Sequence, residues 1–76
     1  MDVATRQRAN LAWAKASEAQ ATAEEASAAA LVASAEAQQL EGREDIAYQY
    51  LRLSEYSRIQ ATIYRDAAAE FRRMAG

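Results

Sequence analysis

The sequence predicts an all-α protein, a two-helix antiparallel hairpin packed as an alanine-rich coiled coil. Three observations carry this. Alanine fills 21 of the 76 positions, and it loses less than any other residue on entering a helix. There is no proline, and the only glycines are Gly42 and Gly76, whereas folds built on tight turns need several of each. Residues 12–39 repeat the pattern Ala-x-Ala-x-Ala-x-x four times, beginning at Ala12, Ala19, Ala26 and Ala33. A seven-residue period keeps one face of a helix turned toward a partner helix.

The chain is short enough to be one domain, spanning residues 1–76. A first helix is expected over residues 3–41. Gly42 ends it, because glycine enters the left-handed conformation that closes a helix without a side-chain clash. Residues 42–44 form the turn. A second helix is expected over residues 45–74, with Glu44 and Asp45 at its positive end. So short a connection lays the two arms side by side and antiparallel. One continuous helix is the alternative, since an internal glycine costs only about 1 kcal/mol. The abrupt change of composition at Gly42 favours the hairpin.

The large side chains are concentrated in the second arm. Its heptad face reads Ile46, Tyr50, Leu53, Ser57, Gln60, Tyr64, Ala67, Phe71 and Met74, flanked by Tyr56 and Ile63. With the turn centred near Arg43, Leu40 falls opposite Ile46, Ala33 opposite Leu53, Ala30 opposite Tyr56 and Ala23 opposite Ile63. Small against large lets two helices interlock. The expected hairpin seam is therefore Ala23, Ala30, Ala33, Leu40, Ile46, Tyr50, Leu53, Tyr56, Ile63, Tyr64 and Phe71.

A core of this kind is thin, and chains below about 80 residues often oligomerise. The middle alanines Ala14, Ala21, Ala28 and Ala35 then fall on the far side of the first arm, with Leu31 and Val32 adding bulk. The candidate partner or self-association surface is Leu11, Trp13, Ala28, Leu31, Val32, Tyr48 and Leu51. A homodimer forming a four-helix bundle is expected from it.

Several classes of chemistry lack their residues. Cysteine and histidine are both absent, so disulfides, Cys/His zinc sites, a thiol nucleophile and an imidazole proton shuttle are all missing. The carboxylate pairs Glu24–Glu25 and Glu44–Asp45 do not match the helical di-metal pattern, which pairs Glu with a Glu-x-x-His set. No enzyme, cofactor or metal is expected.

Net charge is −2. Arg58, Arg65 and Arg72 recur every seven residues, with Arg73 adjacent, as a candidate basic stripe. Glu55, Asp66 and Glu70 lie within a turn of it and offset its charge, so a nucleic-acid partner is not favoured. The longest uncharged run, residues 26–35, is about half of what a membrane span requires. Lys15 and Glu18 interrupt the N-terminal apolar stretch, so a signal peptide is not expected and a cytoplasmic location is.

The functional expectation is a non-enzymatic protein–protein interaction module. It would be a self-associating hairpin serving as adaptor, assembly factor or inhibitor. The alternatives are a structural coiled-coil component of a larger assembly and, behind that, a nucleic-acid accessory protein using the arginine stripe.

Overall fold

Asp2 starts the first helix. Its carboxylate accepts a hydrogen bond from the Thr5 backbone N–H at 2.7 Å, and its carbonyl accepts from Arg6 N–H at 3.0 Å. From this cap the computed structural model, which describes residues 2–76, runs α1 over Val3–Leu40 and α2 over Glu44–Ala75. No strand occurs among the described residues. The two helices lie alongside each other, and the molecule measures 60 × 15 × 12 Å.

The reversal is made by backbone hydrogen bonds around one glycine. Gly42 has φ 78°. Gly42 N–H donates to Gln39 C=O at 3.0 Å and Arg43 N–H to Gln38 C=O at 2.8 Å, satisfying carbonyls that α1 leaves open. Ala47 N–H then donates to Arg43 C=O at 3.0 Å, closing the first turn of α2. Arg43 offers no side-chain cap, but Glu44 and Asp45 sit at the positive end of the α2 dipole and Arg72 and Arg73 at its negative end.

The seam is built from small residues on both arms. In α1 the buried positions are Ala14, Ser17, Ala21, Ala28 and Ala35, and in α2 they are Ala47, Ser54, Ser57, Ala61 and Ala68. Two series of period seven face each other: Ala14, Ala21, Ala28, Ala35 and Ala47, Ser54, Ala61, Ala68. Each member of one is as far along the chain from Glu41 as its counterpart in the other. Residues with little or no side chain at every seventh position let two backbones approach closely. The Ser54 hydroxyl donates to Leu51 C=O of its own helix at 2.7 Å, so its burial leaves that donor satisfied. Larger side chains lie beside the seam: Leu31, Val32, Ile46, Tyr50, Leu51, Tyr64 and Phe71 are half-buried.

This corrects the seam expected from the sequence. Small residues meet small residues, and α1 is turned half a rotation from the expected orientation. Ala23, Ala30 and Ala33 are exposed, and Leu40 is 84 % exposed. On α2 one of the two expected rows is displaced by one position, Ala47, Ser54, Ala61 and Ala68 standing where Ile46, Leu53, Gln60 and Ala67 were expected. Leu53, Tyr56 and Ile63 are exposed and Ile46 lies at the edge, while Tyr50, Tyr64 and Phe71 keep their expected seam row, half-buried on either side of buried Ser57. Close approach of the helices is the reason, because a tyrosine or leucine at the centre of the contact would force the backbones apart.

Candidate interaction surface

The same correction relocates the expected partner surface. Ala28 is buried in the hairpin seam, and Leu31, Val32 and Leu51 are half-buried along its edges. These four are occupied within the chain. Leu11, Trp13 and Tyr48 remain largely exposed. Trp13 stacks on Phe71 near the open end, with ring centroids 6.2 Å apart. Tyr48 carries the Arg52 guanidinium over its ring at 5.9 Å.

Helical geometry sorts the remaining surface into two lateral faces. In α2 the seam positions are 47, 50, 54, 57, 61, 64, 68, 71 and 75. Moving one residue along a helix turns the face by about 100°. One residue later lie Tyr48, Leu51, Glu55, Arg58, Thr62, Arg65, Ala69 and Arg72. The corresponding shift on α1 gives Lys15, Glu18, Thr22, Glu25, Ala29, Val32, Glu36 and Gln39. Ion pairs Arg65–Glu25 and Arg72–Glu18 join these two rows across the seam. This lateral face is charged and tied together within the chain.

The arginine stripe is therefore largely engaged. Arg65 and Arg72 pair with carboxylates of α1, not with the neighbours on their own helix that the sequence suggested, and Arg73 pairs with Glu70. The hydrogen bond from Arg72 holds the Glu18 carboxyl below its ordinary range; desolvation opposes it, and the charges of Arg72 and then Arg65 lower it further. The partners raise Arg65 and Arg72 above the ordinary arginine value, through hydrogen bonds from Arg65 to Glu25 and from Arg72 to Glu18. Arg58 makes no ion pair among the described residues.

The opposite lateral face has a different character. One residue before the α2 seam lie Ile46, Gln49, Leu53, Tyr56, Gln60, Ile63, Ala67, Glu70 and Met74. One residue before the α1 seam lie Trp13, Ala16, Gln20, Ala23, Ser27, Ala30, Ser34 and Ala37. Glu70 is the only charge in both rows. Within this face Leu53, Tyr56, Ile63 and Met74 are 53 %, 62 %, 53 % and 51 % exposed. Ile46, Gln49, Tyr50 and Leu53 line a shallow depression at its loop end. So α2 carries two heptad seams offset by one residue, one filled by α1 and one open. That is the pattern of a helix with two helical neighbours. The expectation of a single heptad face on α2 merged these two seams, and the missed signal was the small series Ala47, Ser54, Ala61, Ala68 standing beside the large one.

No group of three or more carboxylates able to hold a metal forms among the described residues. Among the described residues no helix is long and apolar enough to cross a membrane. No family model, curated protein or solved structure matches the chain.

Proposed function

We propose that this protein is a non-enzymatic helical interaction module that self-associates, two hairpins joining into a four-helix bundle. The observation that carries the reading is the open seam of α2: a heptad row of large apolar side chains, half or more exposed, on a hairpin whose own buried core is only alanine and serine. An alanine methyl contributes about 0.8 kcal/mol on burial, and a leucine, isoleucine or tyrosine side chain roughly twice that or more. A further share of hydrophobic stabilisation thus remains uncovered on the outside of the hairpin. A second copy covers it, placing the uncharged row of α1 and the α2 row, whose one charge is Glu70, toward the centre of the bundle. In this role the protein serves as an adaptor, assembly factor or inhibitor that presents helical surface, in a cytoplasmic setting.

Sedimentation equilibrium with circular dichroism on the same samples tests this. The expected result is a helical dimer at micromolar concentration. Tyr56→Lys together with Ile63→Lys places charge in the open seam and should weaken association at least roughly a hundredfold. Wild-type protein that stays a folded monomer at every concentration would refute the reading. Growth past the dimer would instead favour a structural component of a larger assembly, for which the exposed back of α1, including Ala19, Ala26, Ala33 and Leu40, offers a further flat surface.

A further inference from the structure

The outer edge of the open α2 seam carries a charge pattern that is complementary to itself in one orientation. Two residues before the seam positions of α2 lie Asp45, Arg52, Ile59, Asp66 and Arg73, again at a spacing of seven. All five are exposed, and Ile59 is 58 % exposed. Reading outward from Ile59 in the two directions, Arg52 is matched by Asp66 and Asp45 by Arg73. Each base on one side stands at the distance of an acid on the other.

We infer that the partner of the open seam is a second copy of this chain, running antiparallel, with the two-fold axis passing at Ile59. Resting on the self-association proposed above, this fixes its orientation and register. In antiparallel helical packing the residues on one edge of the seam face the same edge of the neighbour. Ile59 then meets the partner's Ile59, Arg52 meets the partner's Asp66, and Asp45 meets the partner's Arg73, each charge pair occurring twice by symmetry. In the seam itself Leu53 packs on the partner's Ile63, and Gln60 on the partner's Tyr56. The competing arrangements are disfavoured by the same residues. An in-register parallel pair brings opposite edges together, so Arg52 faces the partner's Ser57 and Asp66 the partner's Phe71, and no charge pair forms. An antiparallel pair slipped by one heptad sets Arg52 against Arg73, or Asp45 against Asp66. Loss of the opposite-charge pairs disfavours the parallel arrangement, and like charges held opposite one another select against the slipped ones.

The antiparallel choice also accounts for α1. The other edge of the α2 seam, at Tyr50, Ser57, Tyr64 and Phe71, lies toward α1. With edges matched to edges, the two α1 helices come together on that side through their uncharged row, which includes Ala16, Ala23 and Ala30, and the bundle closes. Arg73 is already paired with Glu70 of its own helix, so Arg52 and Asp66 are the informative pair.

The test is a charge swap read by sedimentation at low ionic strength, where exposed charges are least screened. Arg52→Glu alone makes two acid–acid contacts in its homodimer, and Asp66→Arg alone makes two base–base contacts. Each should weaken self-association roughly tenfold. Mixed one to one, the two variants restore opposite charges at both contacts, and the mixture should dimerise as tightly as wild type. The double variant Arg52→Glu with Asp66→Arg should do so by itself. If wild type dimerises but neither variant weakens it, or the mixture is no tighter than its components, the orientation is wrong while self-association stands. A monomeric wild type would instead remove the self-association on which the inference rests.

Discussion

A single methyl group decides where the two helices touch. Ala14, Ala21, Ala28 and Ala35 are at most 2 % exposed, and they face Ala47, Ser54, Ala61 and Ala68. A leucine in this row has nowhere to go unless the backbones separate. Ala21→Leu should therefore lower stability by about 1–3 kcal/mol. Ala33→Leu, the same change on the exposed back of α1, should stay within about 0.5 kcal/mol of wild type. Thermal melts of the two variants check this, and equal effects would mean the seam is misplaced. Alanine repeats at three of every seven positions in α1, so its pattern announces a helix without saying which alanine row is inside. The orientation of α1 was illegible for that reason. It becomes legible only with α2, where Ala47, Ser54, Ala61 and Ala68 mark the one row that a close-packed partner can touch.

The elements themselves were plainer in the sequence than their faces. Lack of proline, abundance of alanine and one internal glycine lead directly to two helices and their reversal at Gly42. The Asp2 cap was equally visible, as an aspartate just before the helical run, but was not singled out. Gly42 is needed for its backbone alone, since a Cβ built there meets nothing within 4 Å. Gly42→Ala should thus cost about 1–2 kcal/mol, the penalty of a left-handed residue with a side chain. Gly42→Asn should cost less, because asparagine tolerates that conformation. Chemical denaturation of both variants separates this from a packing effect. If alanine and asparagine are equally harmful, the left-handed conformation is not what matters.

At the scale of the whole molecule, charge divides the two lateral faces: one is cross-tied by Arg65–Glu25 and Arg72–Glu18, the other carries Glu70 as its one charge and is left open. The divided faces give stability a one-sided dependence on pH. The Glu18 carboxyl is held below its ordinary 4.5 in the folded chain, chiefly by the hydrogen bond from Arg72. A depressed carboxyl pKa contributes stability that is complete above its ordinary value and lost as pH falls through the lowered one. The Asp2 carboxyl, lowered from 3.8 by the Thr5 backbone hydrogen bond and then by the Thr5 hydroxyl, acts in the same direction at the start of α1. Arg65 and Arg72 are raised, so their contribution is present throughout the working range and disappears only in strong base. With no histidine in the chain, no side chain titrates at its ordinary value between about pH 5 and 8. The thermal midpoint should accordingly be flat across neutrality and fall below about pH 4.5, by a small amount because the pairs face solvent. Glu18→Gln keeps the size of the side chain but cannot ionise. Its melts should start lower at neutral pH and converge on wild type in acid. Curves that instead run parallel from neutral pH into acid would show that the tie between the arms contributes nothing to holding them together.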